Sequence, residues 1–517
     1  MRAQPTPEVT WRRLAALLGA LAFAVVLAAH HITDGDLWGK LAVGAYFWHF
    51  GTVPDHDLFA FTPVLPHYIE HEWGAGTIFF GVLKYVGPAG LMLLKIVLAF
   101  GALLAALAAG KKRCSLDTLL VLAIPVSACL LLGYIPVIRS HAFTYCFFAL
   151  TLLGLEGIGE GKKWPIWVLP PMFLVWSNVH GGFVAGLGAV FVYTAYALAT
   201  RRQWKWFLIA AVASSAVTLV NIYGLKYWVY LIPALLNKRP LIAEWAPLPF
   251  WGNDAFNSFR LLFVIVVIAL LAGWRRVERK NWPGLLMLAI TATLAWRSRR
   301  HAPFFAVSSL AVAGPYLQAT LVTLAAAVPE RIRQAIRPAA AVAVLYGAAA
   351  IYVAAAFLPQ ASLQVLAPVG HDAVREADIL SLAHAKGNLA TPFGWGCYLY
   401  WRLSPDIKIS MDGRYETTYS EATFDLNNRF YEHRGPHWDD LVHQFKVDYV
   451  ILEYTEERLR PADLAPDGYV LIWETPGHSA LLCLPEHADE LKRVAANLPP
   501  TTINPLDAHI PDAWWRK

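Results

Sequence analysis

Apolar runs long enough to cross a bilayer recur along this chain, near 13–30, 88–110, 116–135, 142–159, 164–180, 181–200, 205–221, 258–274, 283–297, 302–327 and 338–358. A hydrocarbon core about 30 Å thick takes about 20 apolar residues of helix to span. Inside it, only structures that pair every backbone group internally survive. The runs therefore predict an α-helical polytopic membrane protein of about 11 transmembrane helices. Charged residues make up 15% of the chain, against about 25% in an ordinary soluble domain. That shortfall excludes a disordered chain, a basic nucleic-acid-binding protein and a plain soluble enzyme. The 21 Trp and 21 Tyr suit many membrane–water interfaces.

Charge is distributed unevenly. Residues 360–517 hold 14 Lys and Arg against 23 Asp and Glu, which leaves 29 basic and 14 acidic residues in 1–359. Two domains follow: a basic transmembrane domain, 1–359, with its first outer loop at 31–87, and an acidic soluble domain, 360–517. With the N-terminus (Arg2, Arg12, Arg13) in the cytoplasm, every second link should be basic. Lys111-Lys112-Arg113, Lys162-Lys163, Arg201-Arg202 with Lys205, Arg275-Arg276 with Arg279-Lys280, and Arg331, Arg333 and Arg337 all fit. An eleventh span then places the C-terminal domain outside the cytoplasm, in the periplasm or extracellular space. The location expected is a bacterial cytoplasmic (inner) membrane.

The outer links carry different chemistry. The first outer loop holds Asp34, Asp36, Asp55, Asp57, Glu70 and Glu72, close to His71 and Trp73. Segments 37–50 and 71–86 are spaced as amphipathic helices of the kind that lie in an interface plane. Further outer clusters are Arg139-Ser140-His141, Asn178-Val179-His180-Gly181-Gly182, Asn221-Ile222-Tyr223-Gly224 with the later Glu244-Trp245, and Arg297-Ser298-Arg299-Arg300-His301. The last defies the positive-inside pattern. Phosphate binding is one reason to keep arginines there, because the guanidinium fork matches phosphate geometry; ion pairing with the loop acids is the other. Lys95, within the second span, either snorkels toward the acidic loop or meets a lipid phosphate. No P-loop, HExxH or GxSxG signature is present. Sugar transfer from a lipid phosphate needs none of these: a carboxylate handles the acceptor and cations stabilise the leaving phosphate.

Asp34-Gly35-Asp36-Leu37-Trp38, Val53-Pro54-Asp55-His56-Asp57 and His71-Glu72-Trp73 resemble the first outer loop of bacterial multi-span proteins related to the GT-C glycosyltransferases. That superfamily includes protein mannosyltransferases, aminoarabinose transferases and oligosaccharyltransferases. Trp176–Gly182, Phe393-Gly394-Trp395-Gly396-Cys397-Tyr398-Leu399 and Met411-Asp412-Gly413-Arg414 also look like an uncharacterised bacterial group of this kind. The resemblance implies a GT-C-like fold, a polyprenyl-phosphate-linked sugar as donor, and a glycan, lipid or protein acceptor. It implies Asp34 or Asp36 as the catalytic carboxylate. Arg139, His141, Arg297, Arg300, His301 and Lys95 would serve the donor phosphate. Asp57, His71, Glu72, Trp73, Asn178, His180 and Glu244 would line the pocket. No cofactor is demanded; a divalent cation, Mg or Mn, would find ligands in Asp34, Asp36 and His31. The rival readings are a transporter or flippase of lipid-linked sugars and a catalytically inactive glycan-binding scaffold.

Beyond residue 360 the pattern turns α/β. Asn388–Thr391, Ile407–Asp412, Val447–Glu453, Tyr469–Glu474 and Ala480–Leu484 read as strands, and 372–385, 419–431, 438–446 and 486–496 as helices. Asp412 and Arg414 follow a strand end, where open α/β sheets bind ligands, or form a simple turn with an Asp–Arg pair. Trp395 is either a sugar platform or part of a packed turn. Cys397 and Cys483 share this domain and leave a disulfide open.

Overall fold

The structure, a computed structural model, describes residues 7–66, 69–135, 137–236, 243–331, 337–366, 373–455, 457–499 and 506. Arg2, Arg333 and the start of the expected 372–385 helix lie outside the described residues. The chain divides into two compact units, Met1–His31 with Met92–Leu363, and Ile32–Leu91 with Gln364–Lys517. The first outer loop thus belongs to the same unit as the C-terminal domain.

The first unit is helical, and each apolar run is helix: α1 (Pro7–Ala29), then α4 (Pro88–Gly110) to α9 (Trp204–Val217), α11 (Asn257–Gly273), α12 (Trp282–Arg297), α13 (Ala302–Val312), α14 (Gly314–Ala326) and a last helix Pro338–Phe357. The 302–327 run breaks between α13 and α14 with a 63° bend. Pro315, at the start of α14, has no N–H to continue the ladder. Among the described residues five helices are long and apolar enough to cross a membrane, or six with the bent pair; α5 (Leu116–Leu131), α9 and α11 are shorter apolar helices. The sequence pattern expects about eleven crossings. The difference lies in helix length, since proline, glycine and polar links trim several runs below a full span.

Two ion pairs tie helices of this unit together. Glu156 of α6 (His141–Gly159) accepts from Arg113 Nη2 at 2.6 Å, Tyr193 at 2.8 Å and Asn281 Nδ2 at 2.7 Å. One carboxylate thereby ties the link after α4 to α6, α8 (Phe183–Thr200) and the start of α12. Arg12 on α1 forms a two-pronged pair with Asp117 on α5, at 2.7 and 2.6 Å. The last helix packs on α1 and α5 through Ala15, Leu120, Val342, Ala343 and Tyr346.

In the second unit a five-stranded mixed sheet runs β2-β1-β3-β5-β4, from β1 (Gly387–Ala390), β2 (Ile407–Ile409), β3 (Tyr449–Glu453), β4 (Val470–Thr475) and β5 (Ser479–Cys483). β1 pairs in parallel with β2 and β3; β5 is antiparallel to both β3 and β4. The strand and helix order follows the sequence pattern, with two extra α-helices among the described residues, Gly396–Leu403 and the short Pro461–Leu464. The outer loop continues the sheet. Phe61 N donates to Ile409 O at 3.0 Å and Ile409 N to Phe59 O at 2.9 Å, so residues 59–61 flank the β2 edge. Phe61 also packs against the core around Phe430, Val450 and Leu482.

Helices α2 (Gly35–Phe50) and α3 (Trp73–Val86) cross at two glycines. A Cβ on Gly44 would collide with Gly76 O, and one on Gly76 with Lys40 O. The amphipathic pattern of α2 serves protein packing over most of its length: Leu37, Trp38, Leu41, Ala42, Val43 and Ala45 are buried. Trp48 and Phe50 remain exposed at its end. Cys397 and Cys483 are both free and buried, so the open disulfide is not formed.

Candidate functional site

In the first unit two of the expected cations, Arg139 and Arg300, meet around one carboxylate. Arg139, just before α6, places Nη1 3.0 Å from Glu244 Oε2. Arg300, in the turn after α12, brings its Nη1 to 3.8 Å from the other oxygen, Oε1. The Arg300 guanidinium lies 4.3 Å over the Trp245 ring, a cation–π contact that holds it flat. His301 meets the same indole edge-on at 6.3 Å. The turn carrying Glu244 is pinned to the end of α12: Leu248 N donates to Trp296 O, Arg299 N to Ala246 O, and Ser298 Oγ to Glu244 O.

His141 and His180 stand beside this cluster with their rings 6.4 Å apart. His180 Nδ1 accepts from Gly182 N at 2.8 Å and faces Thr144 Oγ1 at 2.8 Å. Thr144 in turn accepts from Trp176 Nε1 at 2.8 Å. With Nδ1 accepting, a neutral His180 carries its proton on Nε2 as a donor. His141 Nε2 lies 3.0 Å from Gly133 O, which fixes its proton there.

The remaining expected residues of this unit are placed differently. Lys95 is fully buried and donates to Leu27 O at 3.0 Å and His30 O at 2.7 Å. Its ammonium caps the carbonyl end of α1. Asn178 Nδ2 donates to Leu174 O and Val220 O, and Asn221 Nδ2 donates back to Ser177 O, so this pair staples α7 (Trp164–Val179) to the link after α9. Arg297 is exposed at the end of α12.

In the second unit Asp34 is the N-cap residue of α2 and Asp36 lies in its first turn. The Asp34 side chain makes no cap bond, so helix capping does not occupy its carboxylate. Opposite them stands the Gly396–Leu403 helix with the turn before it. A Cβ on Gly35 would come within 3.1 Å of Gly394 O, and the Trp38 ring meets Tyr398 edge-on at 5.3 Å. His31 falls in the other unit.

Asp57, Asp412 and Arg414 form a buried ion cluster. Arg414 Nη1 binds Asp57 Oδ1, its Nη2 lies 2.6 Å from Asp412 Oδ2, and Tyr419 donates to the same oxygen at 2.6 Å. The guanidinium sits 5.2 Å over both Phe59 and Tyr400, whose rings stack at 4.1 Å. Burial alone would raise the Asp412 carboxyl, but Arg414 and Tyr419 outweigh it and hold it below its usual value. Trp395 is buried with its ring 5.2 Å from His478.

A second ion cluster escaped the sequence reading. Lys40 Nζ lies 2.7 Å from Glu70 and 3.0 Å from Glu72. Burial pulls the Lys40 ammonium down, yet the two carboxylates together keep it well above its usual value. His71 Nε2 stands 3.8 Å from Glu72, and Trp73 begins α3 against Phe47 at 5.1 Å. Lys40 sits on an apolar helix face far in sequence from its partners, and only its charge hinted at a role. Among the described residues two groups have metal-holding geometry, Asp439-His443-Asp467 and Asp448-Glu486-His487; neither includes Asp34 or Asp36.

No protein-family model and no curated protein matches the sequence. Solved structures do match. The oligosaccharyltransferase AglB of Archaeoglobus fulgidus, in complex with an inhibitory peptide and a dolichol-phosphate, aligns with TM-score 0.59 at 12% identity over 84% of this chain and 69% of its own. A structure of the same archaeal oligosaccharyltransferase with Zn and sulfate aligns with TM-score 0.56 at 12% identity, over 89% and 72%. The arabinofuranosyltransferase AftD from Mycobacteria aligns with TM-score 0.56 at 13% identity, over 92% of this chain but 40% of its own length. This chain shares the fold of these two transferases over most of its length.

Proposed function

We propose that the chain is an inverting glycosyltransferase. It moves a sugar from a polyprenyl-phosphate donor to a glycan, lipid or protein acceptor on the outer face of a cytoplasmic membrane. The acceptor nucleophile attacks the anomeric carbon as the bond from that carbon to the phosphate oxygen breaks. The bonding electrons leave with the polyprenyl phosphate, and the acceptor proton passes to Asp34 or Asp36. Arg139 and Arg300, with His141, His180 and His301 around them, receive the leaving phosphate.

One observation carries this reading. Two arginines share a single carboxylate beside an indole, in a chain whose fold is that of an enzyme solved with a dolichol-phosphate. The test supplies the purified full-length chain with a panel of polyprenyl-phosphate sugars and follows sugar release and transfer. Asp34→Asn or Asp36→Asn should lower turnover by about 100-fold or more. Turnover that survives both substitutions sinks the catalytic assignment, and binding without turnover favours a scaffold.

A further inference from the structure

The carboxylate between the two arginines is the chain's own. Glu244 offers one oxygen to Arg139 and the other to Arg300, the arrangement in which two guanidinium groups would take two oxygens of a phosphate. Its backbone is tied down, because its own carbonyl and the residues just after it are bonded to the end of α12. Its side chain is the most open to solvent of the three, 37% exposed against 22% for Arg139 and 23% for Arg300. Trp245 keeps Arg300 in place whether or not Glu244 stays. The result is a pair of cations with a partly solvent-exposed anion between them.

We propose that Glu244 is a specificity-determining residue that limits the charge of the phosphate the site accepts. This rests on the reading of Arg139 and Arg300 as the donor-phosphate site. Two arginines and one glutamate leave a single net positive charge. A phosphodiester-linked sugar donor, singly charged, balances it. A diphosphate-linked donor brings a second negative charge into contact with Glu244, and like charges held together in a partly desolvated site weaken binding strongly. The site therefore selects lipid monophosphate sugars over lipid diphosphate sugars.

The test compares two probes with the same alkyl chains, a dialkyl phosphodiester and a dialkyl diphosphate, by the affinity each shows for the full-length protein in detergent. The unmodified chain should prefer the phosphodiester. Glu244→Gln should shift the preference toward the diphosphate by roughly tenfold or more. Glu244→Asp, which keeps the charge, should leave the preference in place, and this guards against a change due to misfolding. An unchanged preference in Glu244→Gln overturns the role of Glu244 while leaving the phosphate site standing. Failure of both probes to bind, or binding indifferent to Arg139→Ala and Arg300→Ala, overturns the donor-site reading and this inference with it.

Discussion

At the scale of single residues, two kinds of acid are separated by environment. Asp34 and Asp36 open a helix, whereas Asp57 and Asp412 are closed under Arg414 with side-chain exposures of 1% and 0%. The strand-end Asp–Arg turn was legible in Asp412-Gly413-Arg414. Its third member was not, because Asp57 lies 357 residues away and no local pattern links them. Removing Arg414 leaves two buried carboxylates without their cation, so Arg414→Leu should cost about 3–5 kcal/mol, read as a lower unfolding midpoint in detergent. The depressed Asp412 carboxyl fixes the direction of the pH response. Its stabilisation is complete above the ordinary aspartate value of about 3.9 and disappears as pH falls through the lower folded value. Thermal melts in acid should show this loss in the unmodified chain and a smaller one in Asp412→Asn.

At the scale of elements, helix existence was easy to read and helix function was not. The apolar period of α2 is the same whether that face meets lipid or protein. What decides is the glycine pair at Gly44 and Gly76, which lets α3 approach to backbone contact. Gly76→Val should force the two helices apart, at about 1–3 kcal/mol of overpacking strain, and should speed proteolysis of residues 51–72 between them. Lys95 teaches the same lesson. Its charge in an apolar run signalled a special task, yet the sequence could not say that the partners are the last carbonyls of α1. Lys95→Met should leave Leu27 O and His30 O without that donor, a loss of about 1–3 kcal/mol in stability, with phosphodiester binding unchanged. Reduced binding in that variant would instead return Lys95 to the donor site.

At the scale of the whole molecule, hydropathy and charge gave the class, and the alternation of basic links gave an orientation to test. A Glu486→Cys variant should react with a membrane-impermeant thiol reagent in intact cells, whereas Lys111→Cys and Arg275→Cys should react only after permeabilisation. The reverse pattern would mean an inverted orientation, and three cysteines that all wait for permeabilisation would mean an even number of crossings before the C-terminal domain. What composition could not reveal is that residues 59–65 bond to the C-terminal domain, with 59–61 along its β2 edge. Thr62 donates to Ser410 O at 2.6 Å across 348 residues. During synthesis the first outer loop emerges long before its partner strand exists. At 5–20 residues per second the wait is roughly 20–70 s. Throughout that interval Phe59 and Phe61 have no sheet to join and Asp57 has no guanidinium. A chain cut short before residue 407 therefore lacks the β2 edge that residues 59–61 bond to.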